Sequence, residues 1–254
     1  MTKGGASLPL SAPAPISAPM QLALGSDPRT QVLRDVQRRL IGRFGRVVRP
    51  PEKRRDPVWA LVHGVIGART KTAASNASTD GLLREYGSWE ALAQAPPEEL
   101  TRHLAAQTFP ELSAERLKSC LEEIVRRCER ADLSHLAAME TEAAMAWLEA
   151  LPGVARKVAA GVVNTSTLGR KALVIDGHHR RVMQRMGLVP ARADTTRAYD
   201  ALMPVLPEEW SAADIDEHHL LVKRLGQVSC RPSRPDCGGC AVTSLCRTGS
   251  SAYQ

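Results

Sequence analysis

Four cysteines close to the C-terminal end carry the strongest chemical signal in the sequence. Cys230, Cys237, Cys240 and Cys246 are separated by six, two and five residues, and four thiolates at this density can hold a tetrahedral zinc ion or a [4Fe–4S] cluster. Zinc usually takes two tight Cys-x2-Cys knuckles, whereas only the central pair here has that spacing. The spacing therefore favours an iron–sulfur cluster and leaves zinc as the alternative.

The stretch LPGVARK places Lys157 just after a sharp turn between two helical segments. Gly153 allows positive φ and close backbone approach, and the apolar Leu151 and Val154 can anchor the turn in a core. Free N–H groups at such a turn, together with the dipole of the next helix, suit a phosphate. A lysine here is most often a solvated surface residue. Burial at a helix N-terminus would instead lower its pKa and make the amine a nucleophile.

A carboxylate stands 19 residues further along, in the stretch LVIDGHHRRV. Asp176 follows three apolar residues and precedes a helical segment, which is typical of a helix N-cap. A carboxylate there can also stabilise positive charge that develops on a reacting carbon. We expect His178 to be structural or to lie beside a phosphate, and His179, His218 and His219 to be structural rather than metal ligands.

The rest of the chain predicts an all-α fold that positions these groups. Apolar residues recur at helical spacing, aromatic residues make up only 4% of the sequence, and no stretch shows the sustained alternation of a strand. Asp56-Pro57 is a helix-start signal, with the carboxylate at the N-cap and proline in the first turn. The predicted helices span residues 31–44, 58–68, 71–85, 88–93, 97–105, 113–131, 142–150, 156–165, 177–186, 195–203 and 215–228.

Composition limits the class of protein and its partners. The 254 residues are 43% hydrophobic and 24% charged, and they carry a net charge of +7, which raises the expectation of a polyanionic partner such as DNA. No apolar run approaches the length of a membrane helix, and the N-terminal residues lack a secretory pattern. We therefore expect a reducing, cytoplasmic location and no membrane partner. Residues 1–28 are rich in Pro, Ala, Ser and Gly and predict a disordered tail.

From about Asp56 to Cys246 the chain resembles the endonuclease III branch of the helix-hairpin-helix (HhH-GPD) DNA glycosylases. The cysteine spacing matches the iron–sulfur loop of that branch, LPGV-x-RK matches its hairpin, and Asp176 and His178 align with its V-D-x-H pattern. The resemblance implies a [4Fe–4S] cluster on the four cysteines and catalytic roles for Lys157 and Asp176. It implies a base-excision-repair enzyme, a bifunctional DNA glycosylase and AP lyase. Such an enzyme flips out a damaged base, with an oxidised pyrimidine as the leading substrate, and cleaves the strand through a lysine Schiff base.

The same resemblance implies which residues meet double-stranded DNA that contains a damaged base or an abasic site. Arg69 occupies the position of the residue that fills the gap left by the extruded base. A second wedge is expected from the loop of residues 109–112, with Leu112 or Pro110 as the intercalating residue. The remaining implied contacts are made by the hairpin and by the loop between the first two cysteines, namely Leu151, Gly153, Val154, Ala155, Arg231 and Arg234.

Three residues depart from the family pattern. Arg69 replaces a glutamine, Ala155 replaces the second hairpin glycine, and Gly177 follows Asp176 where threonine is common. We expect Ala155 to weaken the grip on phosphate and Gly177 to loosen the turn that aims the carboxylate. Two other functions stay open: a monofunctional glycosylase of the adenine kind, which the presence of Lys157 disfavours, and a non-catalytic iron–sulfur module that binds DNA.

The resemblance also implies two helical domains with the active site in the cleft between them. Residues 57–170 are expected to form a helical barrel that contains the hairpin. Residues 29–56 together with residues 171–249 are expected to form the iron–sulfur domain. We expect a monomer that associates with DNA in the nucleoid.

Overall fold

The computed structural model describes residue 1 and residues 27–251, and this part of the chain is helical and contains no strand. The all-α prediction is therefore confirmed. Short 3-10 turns connect several of the helices. The twelve α-helices of the described residues are α1 (Pro28–Phe44), α2 (Pro57–Ile66), α3 (Thr72–Tyr86), α4 (Trp89–Gln94), α5 (Pro97–His103), α6 (Pro110–Cys128), α7 (Thr141–Glu149), α8 (Arg156–Thr165), α9 (Gly177–Met186), α10 (Thr195–Leu202), α11 (Ala212–Val228) and α12 (Arg247–Ser251).

The predicted tail of residues 1–28 falls mostly outside the described residues. Its last residue, Pro28, belongs instead to α1, so that boundary is wrong. The helix begins there because Asp27 caps it: the Oδ1 atom of Asp27 accepts a hydrogen bond from the N–H of Arg29 at 2.8 Å. Proline then stands in the first turn, where its missing N–H costs no hydrogen bond.

The starts of α2, α9 and α10, each capped by an aspartate, agree with the sequence prediction to within one residue. The Oδ1 atom of Asp56 accepts two hydrogen bonds from the first free N–H groups of α2, at 2.9 and 3.0 Å. Helix α6 begins three residues earlier than predicted because Pro110 fits its first turn. Helix α11 also begins three residues earlier, because Ser211 and Asp214 form a capping box. The sequence prediction contained no counterpart of α12.

Helix α2 lies at the centre of the core, as its apolar sequence predicts. It packs against α3, α6 and α8, and six of its ten residues are buried. Gly64 lets α8 approach closely, because a Cβ atom at this position would stand 2.8 Å from Cγ1 of Val158. The first turn of α8 is therefore held directly against α2.

Helices α9 and α11 form a second close pair. Here the small residue is Gly226 of α11, where a Cβ atom would stand 2.8 Å from the Cβ of His178 in α9. Helix α11 also packs against α1 and α8, so it connects the two helix pairs. The N-terminal turns of α8 and α9 are thus each fixed by a tight helix contact, and they carry the lysine and the carboxylate identified above.

Candidate active site

The structure brings Lys157 and Asp176 together at one cleft of about 1170 Å³. The walls of this cleft come from α2, α3, α8, α9 and α11. Among the described residues, its cations outnumber its carboxylates by nine to three. The cations are Arg49, Lys53, Arg55, Arg69, Lys71, Lys157, Arg180, Arg181 and Lys223, and the carboxylates are Asp80, Asp176 and Asp216. The surplus of positive charge suits a polyanion.

Lys157 is a half-buried residue in the first turn of α8. Burial lowers the pKa of its amine, and the nearby ammonium of Lys223 lowers this pKa further, while the carboxylate of Asp176 acts in the opposite direction. The net result is a pKa below the ordinary lysine value, because desolvation disfavours the charged form. A larger share of the amine is therefore neutral than in a solvated lysine, which is the state that a nucleophile requires.

Asp176 is both an N-cap and a residue of the cleft. Its Oδ1 atom accepts hydrogen bonds from the N–H groups of His178 and His179, at 2.9 and 2.8 Å. Burial raises the pKa of Asp176, but the His219 ring, the N–H of His179 and Lys223 outweigh burial and lower the pKa below its ordinary value. The carboxylate is therefore ionised at neutral pH. These two hydrogen bonds hold the carboxylate in place although Gly177 follows it. The turn that was expected to be loosened by Gly177 is therefore fixed by the backbone of α9.

Five residues of α11 line the cleft, and two of them that the sequence did not assign to the site, His219 and Lys223, act electrostatically on Asp176. His219 is buried beside Asp176, and burial lowers the pKa of its ring. Lys223 stands one turn further along α11 and acts electrostatically on both Lys157 and Asp176. The prediction that His219 is purely structural is therefore incomplete. The sequence pattern that could have revealed these two residues is the recurrence of polar residues at intervals of three or four from Asp216. This spacing places them on one face of a helix.

The other two buried histidines, His179 and His218, pack in the interior, which supports the structural role predicted for them. His218 is fully buried and its Nδ1 lies 3.1 Å from Oε1 of Gln37 in α1. His179 is also fully buried, and its ring meets those of His218 and His219 edge-on, with centroids 5.5 and 5.9 Å apart. These rings pack α9 against α11 behind the cleft.

The hairpin turn has the backbone geometry that its sequence predicts. Leu151 and Val154 are buried, and Gly153 has a φ of +74°. A Cβ atom on this glycine would also stand 3.1 Å from the Cβ of Arg116 in α6. Ala155 is exposed, has a φ of −111° and caps α8 without a side-chain hydrogen bond. The first N–H groups of α8 therefore have no side-chain acceptor at the N-cap.

The two segments predicted to enter the DNA gap lie side by side. Arg69 is exposed at the cleft with a φ of +57°, and its guanidinium carbon lies 5.9 Å from the ring centroid of Phe109. The hydroxyl of Thr108 donates to the carbonyl of Arg69 at 3.0 Å. Residues 110–112 were predicted to lie in a loop but belong to the first turn of α6, which Pro110 begins; their predicted role as a wedge stays a prediction. Leu112 is 40% exposed in its first turn.

The remaining predicted phosphate contacts divide into two groups. His178 lines the cleft, and its Nδ1 lies 3.1 Å from a guanidinium nitrogen of Arg181. Arg231 and Arg234 are exposed on the cysteine loop and do not line the cleft. Arg185 in α9 donates to the carbonyl of Arg231 at 2.6 Å, so the backbone of this loop is tied to α9.

The four clustered cysteines line a single small cavity beside α9 and α11. None of the four forms a disulfide bond. The guanidinium of Arg185 lies 3.3 Å from Sγ of Cys230, and the N–H of Gly249 lies 3.5 Å from Sγ of Cys246. Hydrogen-bond donors of this kind stabilise thiolate ligands. No three potential ligands in the described part of the chain are grouped so that they could hold one metal ion. The four thiols nevertheless share one cavity, and cysteine thiolates are ligands of both zinc and iron–sulfur clusters.

Comparison with known proteins identifies the family of this chain. The family described as "HhH-GPD superfamily base excision DNA repair protein" matches residues 62–208. The chain belongs to this family. Endonuclease III of Escherichia coli strain K12 is 36% identical over 99 residues, which is 39% of this chain but only 44% of that protein. Endonuclease III of Synechocystis sp. strain PCC 6803 is 29% identical over 192 residues, covering 75% of this chain and 80% of that protein.

Solved structures show the same fold. A trapped endonuclease III–DNA covalent intermediate superposes with a TM-score of 0.71 and 22% identity, covering 89% of this chain and 99% of that one. A thermostable thymine-DNA glycosylase superposes with a TM-score of 0.68 and 18% identity, covering 88% of this chain and 97% of that one. No helix in the described residues has the length and apolar character needed to cross a membrane.

Proposed function

We propose that this protein is a bifunctional DNA glycosylase and AP lyase that removes a damaged base, with an oxidised pyrimidine as the leading candidate. The observation that carries the proposal is the shared cleft of Lys157 and Asp176, in which burial lowers the pKa of the lysine. Family membership supports base excision repair as the setting. The lysine supports the lyase half, because a monofunctional glycosylase needs no amine nucleophile.

DNA would bind across the cationic cleft and the hairpin. The surplus of cations in the cleft attracts the phosphate backbone. The hairpin offers the uncapped N–H groups of α8 to one phosphate. The exposed Arg231 and Arg234 would add contacts from the cysteine loop. We expect the affinity for DNA to fall steeply as salt rises, since each phosphate contact releases counterions.

The chemistry begins with the neutral amine of Lys157. Its Nζ attacks C1′ of the extruded nucleotide while the bond from C1′ to the base breaks, and the base leaves with the electron pair and takes up a proton. Loss of a proton from nitrogen and opening of the sugar ring then give a Schiff base at C1′. Removal of a proton from C2′ expels the 3′ phosphate by β-elimination, and water releases the lysine.

Asp176 would act as an electrostatic partner in these steps. Its carboxylate is held by the N–H groups at the start of α9 and is ionised at neutral pH. A fixed negative charge in a partly buried cleft stabilises the positive charge that develops on the sugar as the base leaves. His219 and Lys223 would set the charge balance around it.

The four cysteines would hold a [4Fe–4S] cluster. Their shared cavity and the hydrogen-bond donors beside two of the sulfurs fit such a group. Bound there, the cluster would supply a rigid cross-link for the loop that carries Arg231 and Arg234. We also propose that residues 57–170 form one helical domain and that residues 29–56 with 171–249 form the cluster domain of a monomeric, cytoplasmic protein.

Borohydride trapping on duplex DNA tests the function. Oligonucleotides carrying thymine glycol, 8-oxoguanine, a thymine–guanine mismatch or an abasic site are incubated with the protein and reduced, and covalent adducts are counted. We expect adducts with at least one damaged base and with the abasic site, and none from Lys157→Ala. Lys171→Ala is the matched control, because Lys171 is exposed outside the cleft and donates to the carbonyl of Glu208 at 2.8 Å.

The outcomes separate the competing functions. DNA binding without any covalent adduct would refute the lyase activity and indicate a non-catalytic DNA-binding module. Release of a base without an adduct or strand cleavage would indicate a monofunctional glycosylase. Undiminished cleavage by Lys157→Ala would refute the assignment of the nucleophile. A colourless protein with stoichiometric zinc, rather than a brown one, would refute the iron–sulfur cluster.

A further inference from the structure

Two stacked aromatic side chains of α2 stand in the cleft without a role in the chemistry above. Trp59 and His63 lie one turn apart, with ring centroids 5.2 Å apart and planes only 6° from parallel. Both line the cleft that contains Lys157. A parallel pair at this spacing presents a flat wall beside the reactive amine, and such walls are suited to contact a planar base.

The tryptophan ring is held from two sides, so the wall is rigid. Its Nε1–H donates to Oδ1 of Asp80 in α3 at 2.8 Å. The guanidinium carbon of Arg55 lies 4.9 Å from the Trp59 ring centroid, and Arg55 also donates to Oδ1 of Asp80 at 2.9 Å. Because Trp59 cannot turn without breaking these contacts, it fixes the plane of the His63 ring packed on it.

The imidazole of His63 is uncharged at neutral pH. Burial is the largest cause of its lowered pKa, which falls to about 4. The cations of Lys157, Arg49 and Lys223 act in the same direction, and only Asp80 opposes them. A neutral imidazole offers one N–H donor and one acceptor nitrogen. A neutral ring adds no positive charge next to Lys157. It can therefore hydrogen-bond a nucleobase without electrostatic repulsion of the lysine.

Neither ring nitrogen of His63 has a hydrogen-bond partner among the described residues. Its Nε2 is buried, but the residue as a whole is only half-buried in the wall of the cleft, so Nδ1 is the nitrogen that a molecule in the cleft can reach. Sites that leave a polar group unpaired in this way discriminate strongly between ligands that can and cannot supply the partner.

We propose that His63, held in place by Trp59, hydrogen-bonds the polar edge of the extruded base and thereby determines which base is removed. The ligand is a neutral base that presents a carbonyl oxygen or a ring nitrogen to the imidazole, as pyrimidine lesions do. This inference rests on the proposed function, since it needs a base in the cleft. His63 contacts the departing base and not the sugar, so its contribution ends when the base has gone.

An abasic site lacks the group that His63 would recognise, so two substrates separate base recognition from the rest of the reaction. Single-turnover rates are measured on the lesion of the panel that the wild-type protein excises fastest, and on the same duplex with an abasic site. We expect His63→Ala to lower base release about tenfold, the value of one hydrogen bond, with a much smaller change in abasic-site cleavage. His63→Gln restores a hydrogen-bonding group and should recover part of the loss.

A matched control is His135→Ala, because His135 also packs on a tryptophan, with its centroid 4.7 Å from that of Trp147, but lies outside the cleft. Both of its rates should equal those of the wild type. Equal losses of base release and abasic cleavage in His63→Ala would overturn the inference, since the ring would then support the lysine or the fold. Unchanged base release would overturn it as well.

The two proposals fail differently. A wild-type protein that cleaves abasic DNA but releases no base from any duplex would refute a base-reading role for His63 and leave the lyase intact. A wild-type protein that does neither would refute the proposed function, and the role of His63 would fall with it. The thermal unfolding temperature of each variant is also measured, so that a loss of activity caused by a destabilised fold is recognised.

Discussion

The two helices that carry the reactive pair begin in opposite ways. The N-cap of α8 is Ala155, which supplies no side-chain hydrogen bond, and the first turn of this helix contains no acidic residue. The N-cap of α9 is Asp176, whose carboxylate accepts hydrogen bonds from two N–H groups. The positive end of the α8 dipole is therefore uncompensated beside Lys157, whereas the positive end of α9 is neutralised by the carboxylate itself.

Because of this difference, the two helix N-termini have different effects on the charge of the residues beside them. An uncompensated N-terminus disfavours an added proton on Lys157, in the same direction as its burial. At the start of α9, the His219 ring and the N–H of His179 lower the pKa of Asp176 and keep it ionised against the burial that would protonate it. One fold thus holds a lysine biased toward neutrality close to an ionised aspartate, and each change below tests one half of that contrast.

The largest effect is expected from removing the charge at the start of α9. Asp176→Asn should lower the rate of base release about a hundredfold, because a fixed charge is lost from the cleft. Its stability should stay close to wild type, since asparagine caps a helix as well as aspartate does. Asp176→Ala should lose the same activity and also about 1 kcal/mol of unfolding free energy. Full activity in Asp176→Asn would show that Asp176 is a cap and nothing more.

The turn before α8 should be the next most sensitive position. Gly153→Ala forces a side chain onto a φ of +74° and against Arg116, so we expect a loss of about 1–2 kcal/mol in urea denaturation. DNA affinity should weaken as the hairpin shifts. Gly42→Ala is the control, because a Cβ atom at this helical position in α1 meets nothing within 4 Å and should stabilise the protein slightly. Equal stability of the two variants would mean that the hairpin geometry is not constrained.

Giving α8 a cap like that of α9 tests the contrast directly. Ala155→Asp should stabilise the protein by about 1 kcal/mol and raise the pKa of Lys157. The reaction needs the neutral amine, so the wild-type rate should rise with pH as Lys157 deprotonates, and the variant's profile should move to higher pH. A shift of about one pH unit corresponds to a tenfold loss at neutral pH.

The control for this change is Ala155→Ser, which adds a cap without a charge. It should gain stability while its pH profile stays close to that of the wild-type protein. Ala155→Asp could be stabilised and yet have the same pH–rate profile as Ala155→Ser. In that case the uncapped N-terminus of α8 has no effect on the pKa of Lys157.

Local signals in the sequence predicted much of this arrangement. Asp56 and Asp176 were recognisable caps because a carboxylate before a helical segment satisfies free N–H groups whatever the tertiary structure. Gly153 was recognisable because few other residues accept a positive φ in a tight turn. The matched pattern of Lys157, Asp176 and the cysteines then predicted the family, which the comparisons confirm.

The residues of the cleft that the sequence did not predict are placed there by the way the helices pack on one another. His219 and Lys223 reach the cleft only because α11 packs on α9 through Gly226 in one particular rotation. The stacking of His63 on Trp59 follows from their one-turn spacing, but its place beside Lys157 follows from the packing of α2 on α8. Helical periodicity gives the faces of a single helix and not the partner that each face meets.

The smallest effect is expected at Gly177, the first residue of α9. Its φ is not in the left-handed region, and a Cβ atom there meets nothing within 4 Å. Gly177→Ala should therefore stabilise the protein by about 0.5 kcal/mol, mainly by restricting the unfolded chain. Since Asp176 is held by backbone N–H groups that alanine retains, the carboxylate should keep its position. The measurement is urea denaturation beside single-turnover rates. A gain in stability with a large loss of base release would show that α9 needs a mobile first residue, and the contrast between a fixed α9 end and an open α8 end would have to be abandoned.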